Sequence, residues 1–263
     1  MELKMPGIKP KTKTQDIAAE LVNALNENIK PSQFELKKFE KSINEIPEQE
    51  DRITCMALLE VLKGNIEQAL IYFERGYSAF GALDRIAMNH VKTIERHISL
   101  YDASLKAFFY SEQAETVDML ISAMVMANNV GAIEQFKGLY SDAKRLVQND
   151  DELIKTITKL SVDNENIEKS FDDILINQDE FQAALKTISE LLKSKNIPYN
   201  RHRSLSCENE FIGIHVPVNL SLEEIIDLNE ELIDLLIDND ISKKIIPQFT
   251  TDSNFKNENF QSV

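Results

Sequence analysis

Apolar residues along most of this chain recur three and four positions apart, the spacing that gathers them on one face of a helix. Ile17, Leu21 and Leu25 fall at fourfold spacing and predict a helix over residues 14–28. A second follows over 32–46, with Ser32 at the cap and Glu35 at the far corner of a capping box. The same reading places helices over 51–63, 66–80, 83–98, 101–110, 111–128, 130–148, 151–160, 164–176 and 178–195. Proline agrees with it. Pro6, Pro10, Pro31 and Pro47 punctuate the start and Pro198, Pro217 and Pro247 the end, with none between Glu48 and Ile197. Helix interiors tolerate proline least, so a long proline-free span rich in Leu, Ile, Ala, Glu and Lys is helical. Its short connections predict antiparallel neighbours.

Past Pro198 the period changes. Residues 203–207 and 211–215 alternate with period two and read as a β-hairpin around Glu208, Asn209 and Glu210, interrupted by Gly213 and ended by Pro217. Asn219 to Ser221 then opens a helix, with Ser221 and Glu224 as a capping box and Leu222, Ile225, Ile226, Leu228, Leu232, Ile233, Leu235 and Leu236 as a wide apolar side. The predicted organisation is a mobile basic tail over 1–13, a helical domain over 14–196, a ββα unit over 199–246 and a polar tail over 247–263.

One helical pair has further detail. Gly64 ends a helix and turns the chain; Ala69 is small where two helices touch; Phe73 is an aromatic one turn on; Gly76 is small again. Met56 and Ala57 supply the large and small contacts of the preceding helix. Over residues 48–81 this pattern resembles the tetratricopeptide repeat. A further copy of the face lies 63 residues on, where Ala132, Phe136, Tyr140 and Ser141 follow Ala69, Phe73, Tyr77 and Ser78, near twice a 34-residue unit. Ala103 lies 34 residues after Ala69, but Ala107 then replaces the aromatic, so the likeness is degenerate elsewhere. The resemblance implies a mainly α fold of antiparallel helix pairs, stacked as a solenoid or a compact bundle. It also implies a groove that grips a partner peptide or helix. Arg52, Cys55, Leu59 and Lys63 take the groove-facing positions of the clearest repeat.

Charge narrows the partner. The net charge of −15 disfavours nucleic acid, which needs clustered Lys and Arg. It fits a basic protein partner. Lys4, Lys9, Lys11 and Lys13 make the N-terminus locally basic. Glu223, Glu224, Asp227, Glu230, Glu231, Asp234, Asp238 and Asp240 crowd residues 221–240, which hold no Lys or Arg. Glu223, Asp227, Glu230, Glu231 and Asp234 are the candidate acidic contacts. No run is apolar enough to span a bilayer and no apolar h-region follows the N-terminal lysines. Cys55 and Cys207, far apart among apolar neighbours, read as buried free thiols of a cytoplasmic protein. The richness in Ile, Lys and Asn suggests a bacterial source.

Catalytic signals are sparse. The phosphate-loop, dinucleotide, nucleophile-elbow and zinc-protease motifs are all missing, and seven glycines leave little for a phosphate cradle. His90 and His97 lack a third metal ligand. Arg85 and His90 resemble the Arg-x(4–6)-His motif of HEPN ribonucleases, which would make His90 a general base and Arg85 a phosphorane-stabilising cation. Ile86 stands where that motif prefers a polar residue. The sequence thus points to a non-enzymatic interaction scaffold or regulatory adaptor without cofactor or metal. An acidic, antitoxin-like inhibitor that occludes a basic partner is the alternative, with the ribonuclease third. The hairpin also offers an edge for self-association.

Overall fold

The structure, a computed structural model, describes residues 13–27, 29–82, 84–114, 116–147, 150–197, 204–208 and 210–251, with backbone only for 13, 15 and 204–208. The tail predicted over 1–13 lies almost wholly outside the described residues, as do 252–263. The protein is mainly helical with a small C-terminal sheet. Among the described residues ten helices come first: α1 (Lys13–Asn26), α2 (Gln33–Asn44), α3 (Gln49–Lys63), α4 (Ile66–Phe80), α5 (Asp84–His97), α6 (Leu100–Ser111), α7 (Val117–Val130), α8 (Ile133–Leu146), α9 (Asp151–Ile174) and α10 (Gln178–Ser194). Strands β1 (Ser204–Glu208) and β2 (Phe211–Val218), helix α11 (Leu222–Asp238) and strand β3 (Ile245–Thr251) complete it.

The odd-numbered helices α1 to α9 open at residues 13, 49, 84, 117 and 151, intervals of 36, 35, 33 and 34. Their partners α2 to α8 open at 33, 66, 100 and 133, intervals of 33, 34 and 33. The chain divides into two compact units, Met1–His90 and Val91–Val263. The sequence reading drew a single helical domain over 14–196 and a separate unit from 199.

In the first unit α3 packs against α1, α2 and α4. Ile17 and Leu21 of α1, Leu36 and Ile43 of α2, and Cys55, Leu58 and Leu59 of α3 share one core with Phe73 and Ile86. The predicted cap of α2 is present, with Ser32 and Glu35 bonded reciprocally.

Two turns of the chain match closely. Gly64, at φ 81°, ends α3, and Gly131, at φ 64°, ends α7. In each case the next N–H reaches back into the helix just ended, Asn65 to the Glu60 carbonyl and Ala132 to the Ala127 carbonyl. Asn65 and Ala132 then hold nearly the same backbone, φ −87° and ψ 64° against φ −86° and ψ 72°. The structural equivalence is therefore Gly64-x-Ile66-Glu67-Gln68 with Gly131-x-Ile133-Glu134-Gln135, an offset of 67 residues. That corrects the 63-residue echo by one helical turn. Ala132 caps α8, so it is no equivalent of Ala69, the fourth residue of α4. Phe73 corresponds to Tyr140 and Gly76 to Ala143.

The second unit contains two further corrections. Residues 151–176 were expected as two helices, yet α9 is one helix of 24 residues. Ser161 to Asn164 contain no breaker, and Asn164 is buried, donating to the side-chain oxygen of Asn128 at 2.9 Å. Beyond α10, the expected ββα unit is ββαβ. Its sheet has the order β1-β2-β3, antiparallel then parallel. The tail expected from 247 therefore starts inside β3. Pro217 was expected to end β2, but the strand continues to Val218. Ile212 donates to the Lys244 carbonyl, so even-numbered residues of β2 bond towards β3 and Pro217 faces the β1 side. There it lies beyond the last described β1 pair, Ser204 with His215, so its missing N–H breaks no described ladder bond.

Asp102 ties α6 to α10. Its carboxylate accepts from Ser99, from Ser189 at 3.0 Å and from Lys193 at 2.6 Å. Burial would raise its pKa, but the hydrogen bonds from Lys193 and Ser99 outweigh it and hold the carboxyl below the ordinary value. A depressed folded pKa means a stabilisation complete above the unfolded value, about 3.9, and lost as pH falls through the folded one. Asp102→Asn should remove that contribution. Thermal melts from pH 5 down to pH 2.5 should then show a shallower loss for the variant than for the wild type.

Candidate protein-docking surface

The helix-pair groove implied by the repeat resemblance is filled at its clearest copy. Cys55 is 2% exposed and Leu59 fully enclosed, because α1 and α2 cover that face of α3. Burial pushes the Cys55 thiol up to about 11, so it stays protonated at neutral pH. Arg52 is half-buried and donates to the Ile46 carbonyl at 3.4 Å; Lys63 pairs with Glu60 at 2.9 Å. These four residues therefore do not form an open wall. The side chain of Cys207 lies outside the described residues.

The C-terminal candidates fare differently. Ile225, Leu228 and Leu232 bury one side of α11. A second apolar row, Leu222, Ile226, Ile233 and Ile237, is 66%, 50%, 54% and 67% exposed. Spaced by four, seven and four, the four side chains form a stripe about 22 Å long on a helix rising ~1.5 Å per residue. The wide apolar side read from the sequence is thus two faces, one buried and one open. Leu222, Ile226 and Ile233 are already among the apolar positions that the sequence shows for this helix. The only available sign of a second face was that eight or more apolar residues exceed the arc one contact can cover.

The open stripe borders a cleft. Ile233, Ile237, Ile241, Ile246 and Pro247 line a cavity of about 480 Å³ between α11 and β3, with Lys243 also in its lining. Ile246 is itself 43% exposed. On the other flank, roughly 100° round the helix, stand Glu223, Asp227, Glu230 and Asp234, all exposed. Two acids of the predicted strip are used within the fold. Glu224 closes the Ser221 capping box, whose hydrogen bonds hold its carboxyl below the usual range. Glu231 pairs with Lys195 at 2.6 Å.

The outer edge of β3 is blunted. Odd-numbered residues of β3 point away from β2. Ile245 donates to the Ser242 carbonyl, Pro247 has no N–H, and Phe249 is held by the Asn229 side chain. Asn229 accepts the Phe249 N–H at 2.7 Å and donates to its carbonyl at 3.1 Å, as a neighbouring strand would. From Ile245 to Phe249 no outward N–H is free for a further strand. Of the two edges of the hairpin considered for self-association, that of β2 is covered by β3. Asn229→Ala should cost about 1–3 kcal/mol by orphaning both Phe249 groups. It should also raise the self-associated fraction in sedimentation velocity.

The arginine and histidine that resemble a ribonuclease motif are occupied. Arg85 is ion-paired with Glu50 and Asp51. His90 is 2% exposed and stacked on Phe73, centroids 5.2 Å apart. In this arrangement the imidazole cannot reach a substrate. Among the described residues, no group of three or more His, Cys, Asp or Glu side chains could hold a metal, and no helix is long and apolar enough to cross a membrane. No family model, curated protein or solved structure matches the chain.

Proposed function

We propose that this protein is a non-enzymatic interaction scaffold or adaptor whose binding face is the outer side of α11 with the α11/β3 cleft. The observation that carries the reading is the open isoleucine stripe. Four large aliphatic side chains, half or more exposed in one row beside a cavity, form the kind of contiguous apolar patch that monomers reserve for partners. The tetratricopeptide resemblance supports the scaffold reading, through the 33–36-residue recurrence of helix starts and the matched turns at Gly64 and Gly131. In this proposal the helix pairs are a frame, and the partner sits on the C-terminal unit instead of on α3.

The inhibitor-like alternative draws on the same helix, through the exposed acids beside the stripe. The test is quantitative capture of cellular proteins by the full-length protein. The double variant Ile233→Asp with Ile237→Asp should lose the proteins that the wild type retains. Arg52→Ala with Lys63→Ala should keep them. A captured set that is unchanged by the α11 variant would overturn the assignment of the face.

A further inference from the structure

We infer that the occupant of the α11/β3 cleft is a basic amphipathic helix of a partner protein, about four turns long, with cations along one flank of its apolar seam. The inference rests on the docking-face reading above and adds the chemistry of the partner. The apolar stripe fixes the secondary structure. Its residues recur at helical spacing over about 22 Å, a row that matches the ridge of another helix laid alongside it. A strand is disfavoured because β3 presents no free donor from Ile245 to Phe249. The cleft of about 480 Å³ between Ile233, Ile237 and Ile246 gives the incoming apolar residues a place to insert.

The flanks fix the charge. One side of the stripe carries Glu223, Asp227, Glu230 and Asp234, exposed and of one sign. Cations on the facing flank of a partner would be steered and held there. The other side is bounded by β3, whose exposed residues are Ile246 and Gln248, and by Lys243 just before it, a cation that confines the partner's own cations to the acidic flank. A second copy of this chain fits poorly. An antiparallel twofold pairing of two α11 faces would set like acidic rows against each other, on chains of net charge −15, and a parallel one would set the acidic row of each copy against the β3 flank of the other.

The test uses full-length protein and three labelled helical peptides of about 18 residues, enough to span the stripe. They share one leucine seam and carry Lys, Gln or Glu at the flanking positions. Fluorescence anisotropy should show the Lys peptide binding at least about tenfold tighter than the Gln peptide at ~0.15 M salt, with the advantage largely gone at ~1 M. Ile233→Asp with Ile237→Asp adds negative charge, so simple charge attraction would hold or rise. Loss of Lys-peptide binding by about tenfold or more would place the peptide on the apolar stripe. Glu223→Gln with Glu230→Gln and Asp234→Asn should abolish the preference for Lys over Gln while leaving the Gln peptide unchanged. The substituted side chains are exposed, and circular dichroism checks that the fold survives.

Other outcomes separate the two readings. Equal binding of Lys and Gln peptides, both lost in the isoleucine variant, would overturn the basic partner and keep the docking face. A wild-type dimer dissolved by the same variant would do likewise, with a second copy as the occupant. Lys-peptide binding indifferent to the variant, or no binding by a monomeric protein, would overturn both.

Discussion

Gly131→Ala is expected to destabilise the protein by about 3 kcal/mol, and Gly64→Ala, at the equivalent turn, by about 1 kcal/mol. Both glycines sit at positive φ, 64° and 81°, where any Cβ crowds the following carbonyl. That strain is common to the two sites. The difference lies in what the new methyl meets. At Gly64 nothing lies within 4 Å. At Gly131 the Cβ would stand 2.6 Å from Cζ and 2.9 Å from Cε2 of Phe171, and 3.0 Å from Cδ1 of Phe181. Neither ring can withdraw easily. Both are buried, and they pack against each other with centroids 5.3 Å apart. Overpacking a rigid site costs about 1–3 kcal/mol beyond the backbone term. Urea denaturation followed by circular dichroism measures both variants. Equal losses would mean that the Phe171–Phe181 pair moves aside freely, and that the close approach of this turn to α9 and α10 is not a constraint.

That comparison also shows what sequence could and could not reveal. Gly64 was legible as a turn because its signal is local: a glycine after an apolar-periodic run. The capping boxes of Ser32 and Ser221 were legible for the same reason. Small and aromatic residue types alone suggest a 63-residue register, one turn short of the 67-residue offset of the matched turns. The turn glycine with its following Ile-Glu-Gln carries the alignment, and both copies were present to be read. Other features depend on distant residues. Whether the Arg52–Lys63 side of α3 faces solvent is decided by α1 and α2, and nothing within α3 reports that cover. Strand β3 was hidden by Pro247, which normally argues against a strand. It is allowed there because its N–H position faces the outer edge, where Asn229 of another element does the pairing. The acidic row of α11 was legible as a solvated face from its periodicity. Its apolar neighbour row was legible only as excess width, because the sheet that buries one row and leaves the other cannot be seen from the helix alone.

Phe73→Ala is expected to cost about 3–5 kcal/mol, the range for deleting a fully enclosed aromatic ring. Phe73 has no exposed surface and belongs to the core shared by α1, α2 and α3. Its ring also stacks on His90, with an interplanar angle of 14°. Truncation therefore leaves a cavity and strips one face of a buried imidazole, whose other polar needs stay the same. Domains of this size keep only about 5–15 kcal/mol in reserve, so the loss is a large fraction of what holds the first unit together. Phe73→Leu, which retains most of the volume, should cost clearly less, within about 1.5 kcal/mol if neighbours repack. Phe34, 78% exposed on α2, is the control; its alanine variant should lie within about 0.5 kcal/mol of wild type. Chemical denaturation of the three variants distinguishes packing from composition. If Phe73→Ala were no worse than Phe34→Ala, the aromatic of the repeat-like helix would not be the keystone of the α3–α4 contact. The main residue-level support for the tetratricopeptide reading of that pair would go with it.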